Sequence, residues 1–121
     1  MAQVGSIGTY TTIADFAGFF EMKGIKLEEV YATKSTDKNK GYRDAIKSNF
    51  KDTKLIQQSV DKFNEQFLTD VSKNRQGKLI DTSWNSGKLF LADEALKLGL
   101  IDEIASFKDT IQSFAKSLNL T

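Results

Sequence analysis

From Asp52 to Gln76 the apolar residues Leu55, Ile56, Val60, Phe63, Phe67 and Val71 recur at spacings of three and four, which predicts one long amphipathic helix. Gly77 supplies its stop, and the stripe through Phe63 and Phe67 reads as core. Upstream the pattern is shorter. Val4–Tyr10 mixes β-branched and aromatic residues with two glycines, predicting a strand that runs into a tight turn. A Thr12-x-x-Asp15 start signal then precedes Ile13, Phe16, Ala17 and Phe20 at helical spacing, with Gly24 placed for a left-handed stop. Ile25–Ala32 carries apolar residues between Lys26, Glu28 and Glu29, as a strand does when it enters from a wet edge and becomes buried.

Downstream of the long helix, Asp81–Lys88 (DTSWNSGK) reads as a turn-rich connection, and Leu89–Leu91 as a short extended piece. Ala92–Leu98 forms a short helix stopped by Gly99, with Leu100 set to make the apolar contact of a Schellman cap. Ile101–Ile104 is extended, and Ser106 with Asp109 opens a last helix bearing Phe107, Ile111, Phe114, Ala115 and Leu118 on one side. Strand and helix alternate at the start, which predicts an α/β fold with a right-handed crossover, few strands and about four helices. A parallel sheet needs more neighbours than two or three strands, so the chain reads as one domain, residues 1–121, that is part of something larger.

Composition mainly excludes. The 121 residues suit one folded domain, and a net charge of +1 gives no field that selects nucleic acid or an anionic membrane. With neither cysteine nor histidine, disulfides, Cys/His dyads, Ser-His-Asp triads and His or Cys zinc sites are all ruled out. The N-terminal stretch lacks a secretory core and no apolar run approaches about 18 residues, so no membrane segment is expected in this chain and a cytoplasmic location is favoured. No cofactor and no metal are expected.

With no histidine or cysteine near it, one loop offers acid-base chemistry through lysine. Thr33–Arg43 (TKSTDKNKGYR) is a polar, mostly basic loop that carries Lys34, Lys38 and Lys40. A lysine acts as a general base only when burial or a nearby cation brings its pKa from about 10.4 toward 7 to 8. Without such help the loop is a solvated connector. Ser6 lies between glycines but Val4 stands where a nucleophile elbow needs glycine, so it reads as a small residue at a close backbone approach. Trp84 reads as a core anchor rather than a ligand platform.

Three stretches in order, GSIGTY at Gly5–Tyr10, IKLEEVYATKSTDKNKGYRDA from Ile25 onward, and GKLFLADEALKLGLIDEI at Gly87–Ile104, resemble the C-terminal part of the signal peptide peptidase A family. Its members are Ser/Lys-dyad serine endopeptidases of the ClpP/crotonase-like fold, with phage head-maturation proteases as relatives. The resemblance covers about Val4 to Ile104 and implies that the base-bearing loop follows the Ile25–Ala32 strand. Thr33 stands where the family has glycine, and the loop is longer, so counting does not place the base. Lys38, followed by Asn39, is the first choice and Lys34 the second. Lys34, Lys40 and Arg43 would help to depress the pKa of a central lysine, and Asp37 would oppose this.

The family's nucleophilic serine lies in a Ser-Gly-Gly-Tyr-like segment upstream of the GSIG stretch, and no such segment occurs in these 121 residues. The resemblance therefore implies a C-terminal portion that holds half a dyad and is inactive alone. It also implies a peptide or protein substrate for the complete enzyme and a homo-oligomer, in which neighbouring protomers can share a dyad. The alternatives are a non-enzymatic interaction or assembly domain of the crotonase-like superfamily, and, from EALKLGLID alone, a relative that binds CoA thioesters.

Overall fold

A computed structural model describes residues 2–119. The fold is mixed α/β: among the described residues it has five α-helices and a sheet of two strands. The chain forms two compact units. One takes the N-terminal stretch up to Gly8 together with the chain from Phe67 onward, and the other is Thr9–Gln66.

In the first unit, β1 (Gln3–Gly5) pairs antiparallel with β2 (Leu89–Leu91), Val4 standing opposite Phe90. The expected parallel crossover is absent from this pair. The first strand ends at Gly5 instead of reaching Tyr10, because Gly5 (φ 134°) and Ser6 (φ 56°) turn the backbone out of the extended region. A β-carbon at Gly5 would meet the Lys88 carbonyl oxygen at 2.3 Å, so glycine is required for the strands to lie this close. Ser6 N–H donates to that same oxygen (2.9 Å), which agrees with the reading of Ser6 as a residue of close approach.

The core of this unit consists of Ile7, Trp84, Phe90, Ala95 and Leu100, with Val4, Leu68, Val71, Leu79, Leu98 and Ile101 packed around it. Trp84 is the anchor expected of it, buried in a short 3₁₀ turn (Ser83–Ser86). α4 (Ala92–Lys97) opens with the Glu94 carboxylate accepting the Leu91 N–H at 3.0 Å. It closes as its sequence predicts: Leu100 N–H bonds Ala95 O, Gly99 N–H bonds Leu96 O, and Leu100 is buried in the core, which completes a Schellman cap. α5 (Phe107–Ser117) starts on Ser106, whose Oγ accepts the Asp109 N–H. Its apolar face is exposed, with Phe107 84% and Phe114 62% accessible.

A charge cluster braces the same unit. Arg75 donates from Nε to the Gly99 carbonyl oxygen (2.8 Å) and from Nη1 to Asp102 (2.9 Å), and Lys78 Nζ lies 2.6 Å from the other Asp102 oxygen. The hydrogen bond from Arg75, and then that from Lys78, lowers the Asp102 pKa to about 2. The folded state thus prefers the ionised carboxylate. The resulting stabilisation is complete above the unfolded carboxylate pKa of about 4 and is lost as pH falls through about 2. In urea titrations between pH 6 and pH 2, the midpoint of Asp102→Asn should fall less than that of the wild type. Equal slopes would remove the cluster from the account of acid sensitivity.

The second unit is helical. α1 (Ala17–Met22) begins later than the Thr12 signal suggests: Asp15 Oδ1 accepts the Ala17 N–H at 2.9 Å, and the helix starts there. Gly24, at φ 71°, ends it as expected. Ile25–Ala32 forms no ladder among the described residues, and its Val30 is 88% exposed. A strand needs a partner for its backbone groups, and none lies beside this stretch in the described fold. α2 (Lys40–Lys47) has no counterpart in the pattern reading and is described with the site below. α3 (Lys54–Asn74) is the long helix foreseen, yet Phe63 is 71% exposed and Phe67 40%, so that stripe is not core. The helix runs on past Gln66 into the first unit, where its Leu68 and Val71 pack against that unit's buried cluster.

Candidate active-site loop

The basic loop is a run of tight turns that feeds a helix. Ser35 N–H bonds Ala32 O (2.8 Å), Lys38 N–H bonds Ser35 O (3.1 Å) and Lys40 N–H bonds Asp37 O (3.1 Å), so three successive i to i+3 bonds fold Ala32–Lys40 on itself. Asn39, at φ 57° and ψ 20°, takes the left-handed conformation that turns the chain into α2. Asparagine tolerates this better than most residues.

α2 was missed because it lies inside a segment dominated by charge, although Tyr42, Ala45 and Ile46 stand three and four apart. Ala45 is fully buried. Gly41 sits against α3, where an added β-carbon would lie 3.1 Å from Ile56 Cγ1, and Tyr42 Oη donates to the Ala14 carbonyl oxygen at 2.8 Å. Asn49 (φ 52°) and Phe50 (φ 63°) close the helix, Phe50 N–H returning to Ala45 O at 2.7 Å.

The three loop lysines occupy different settings. Lys34 and Lys38 are exposed, and among the described residues neither ammonium group has a hydrogen-bond or ion-pair partner. Lys40 is paired with Asp44 at 2.5 Å, one helical turn on. The Asp44 hydrogen bond, followed by its charge, raises the Lys40 pKa, the opposite of what a general base requires.

Arg43 was expected to act on a loop lysine through its charge and Tyr31 was not singled out by the sequence, yet the two meet at this loop. The Arg43 guanidinium lies over the Tyr31 ring, 4.6 Å from its centroid, and donates from Nη2 to the Thr36 carbonyl oxygen at 2.7 Å. Tyr31 Oη accepts from Asn39 Nδ2 (3.3 Å) and donates to Glu29 (2.5 Å). Arg43 is thus committed to a ring and a carbonyl oxygen on either side of the turn.

Beside the loop, within the same unit, an open cleft of about 800 Å³ is lined by Thr9–Ile13, by Asp37, Asn39, Lys40 and Tyr42, and by the Leu55–Phe63 face of α3. Asp37 and Asn39, the chain neighbours of Lys38, both line it. Among the described residues no group of three or more carboxylates is placed to hold a metal ion, and no helix is long and apolar enough to cross a membrane.

The whole chain, residues 1–121, matches the family model of peptidase family S49, and the chain belongs to that family. The mixed α/β fold described above fits part of that family's fold. Two relatives are similar along nearly all of it. A provisionally named protease of Methanocaldococcus jannaschii is 24% identical over 119 residues, covering 98% of this chain and 37% of the relative. A provisionally named signal peptide peptidase of Enterococcus faecium is 26% identical over 125 residues, covering 97% of this chain and 33% of the relative. The chain therefore spans about a third of the length of the curated relatives it matches.

Proposed function

We propose that these 121 residues are the C-terminal, base-bearing part of a single peptidase domain that hydrolyses peptide bonds with a Ser/Lys dyad. Membership of the peptidase family supports the reaction class. The observation that carries the site is the lysine turn: two ammonium groups without partners, held on a braced turn beside an open cleft. Lys38 is the favoured base because both of its chain neighbours line the cleft, and Lys34 is second. Lys40 is set aside by its pairing with Asp44.

In this mechanism the neutral lysine amine takes the proton from a serine hydroxyl as its oxygen attacks the scissile carbonyl. The resulting ammonium returns that proton to the leaving amine, and water then hydrolyses the acyl ester with the same lysine as base. An exposed lysine stays hydrated and charged, so the chemistry requires the turn to be covered. Residues outside these 121 supply that cover together with the nucleophile, either from the same polypeptide or from a neighbouring protomer of a homo-oligomer. The cleft beside the turn is the proposed seat of the peptide.

A second reading, a non-enzymatic assembly domain, draws on the exposed apolar stripe Phe107, Ile111, Phe114 and Leu118 of α5. Assays separate the two. The 121-residue chain alone should release no product from an unstructured peptide, whereas the complete peptidase carrying it should turn over and be titrated by a serine-directed acylating reagent. Hydrolysis by the isolated chain would overturn the divided dyad, and an inert complete protein would leave the assembly reading standing.

A further inference from the structure

A lysine has a long, flexible stem, so a base of this kind is only as well placed as the backbone that bears it. The turn around Lys38 has little packing of its own: Ala32 through Lys40 are all exposed, and isolated i to i+3 bonds open easily. One guanidinium connects it to firmer structure. Arg43 issues from α2, one turn past Asn39, and α2 is anchored by buried Ala45 and by the close approach of Gly41 to α3. From there its Nη2 holds the Thr36 carbonyl oxygen at 2.7 Å, midway between Lys34 and Lys38. Its flat face covers Tyr31, the last half-buried residue before the turn. The Arg43 Nε is buried without a hydrogen-bond partner, so the guanidinium is oriented for the ring and for Thr36 at the expense of its third edge.

We propose that Arg43 is the positioning residue of the lysine turn, locking Thr36 and Tyr31 to α2 so that the Lys38 backbone presents its ammonium group in one place. The proposal rests on the reading of this turn as the base-bearing loop. It assigns Arg43 no contact with substrate. The role needs a planar, five-donor cation: a lysine at position 43 keeps the charge but can neither stack flat on Tyr31 nor hold Thr36 at the same time. Tyr31 is the other half of the clamp, and its ring matters more than its hydroxyl.

Two readouts test this. In the 121-residue chain, amide hydrogen exchange at Lys38 and Lys40 should be about tenfold faster in Arg43→Lys and in Tyr31→Leu, with no further increase in the double variant. Exchange along α3 and α5 should stay as in the wild type, and Tyr31→Phe should recover the protection that Tyr31→Leu loses. In the complete peptidase, Arg43→Lys should lower kcat about tenfold at unchanged KM. Unchanged exchange at Lys38 with unchanged kcat overturns the proposal. Accelerated exchange throughout the chain with a matching fall in melting temperature also overturns it, because Arg43 would then only hold the fold. If Lys34→Ala and Lys38→Ala both retain full activity, the base-loop reading itself fails. If Lys38→Ala is inactive while Arg43→Lys keeps wild-type kcat, only the positioning role is lost.

Discussion

Replacing Lys38 by alanine in the complete peptidase should abolish useful peptide hydrolysis, with kcat/KM falling by about two to four orders of magnitude, the usual worth of a general base. The fold should be untouched. Lys38 is exposed and its side chain has no partner among the described residues, so truncation removes no packing and no ion pair. Its effect on stability should stay within about 0.5 kcal/mol. Steady-state kinetics on a peptide substrate together with circular dichroism would separate lost chemistry from lost structure. Lys34→Ala should cost far less. A wild-type rate in Lys38→Ala with a dead Lys34→Ala would transfer the assignment to Lys34, and two fully active variants would end it.

The largest stability effect is expected at Gly99. It stands at φ 79° in the cap of α4, and a β-carbon built there would lie 1.8 Å from the Lys78 carbonyl oxygen and 2.5 Å from its carbon. Both are backbone atoms, so no side chain can swing away to make room. Gly99→Ala should therefore combine the penalty of a left-handed alanine with overpacking of the segment after α3, about 3 kcal/mol or more. Gly77 is the internal control. It has nearly the same dihedral, φ 76°, but nothing within 4 Å of its added β-carbon, so Gly77→Ala should cost only about 1 to 2 kcal/mol. Urea denaturation of the two variants gives the comparison. Equal losses would mean that backbone conformation alone, without the Lys78 contact, sets the cost at Gly99.

These expectations differ in how far they can be read from the chain itself. Gly99 as a stop, Leu100 as its apolar contact, Ser106 as a cap and the long helix of α3 all follow from local rules, because a cap or a helical stripe involves residues only three to five positions apart. Trp84 as an anchor follows from its size. The exclusion of histidine and cysteine chemistry follows from composition, and the ordered motifs around the lysine loop point to the family that the match along residues 1–121 establishes.

Long-range partnership was not legible in the same way. Ile25–Ala32 has a strand's composition, but whether it joins a sheet depends on a second backbone, and none pairs with it among the described residues. Phe63 and Phe67 have the spacing of core residues, yet both are exposed in the described fold, because spacing places a stripe on a helix without supplying what covers it. The antiparallel pairing of Gln3–Gly5 with Leu89–Leu91 joins segments more than eighty residues apart, which no periodicity encodes.

At the candidate site the division is the same. The sequence by itself excluded histidine and cysteine chemistry and pointed to the lysines of one loop as candidates, since residue type and local motif suffice for that. Only the tertiary structure decided that Lys40 is taken by Asp44, that Asp37 and Asn39 border a cleft, and that Arg43 ties Tyr31 to Thr36. The reason is physical: a side chain's charge state and reach depend on its neighbours in space, and those neighbours are set by the turns and the helix that carry the loop.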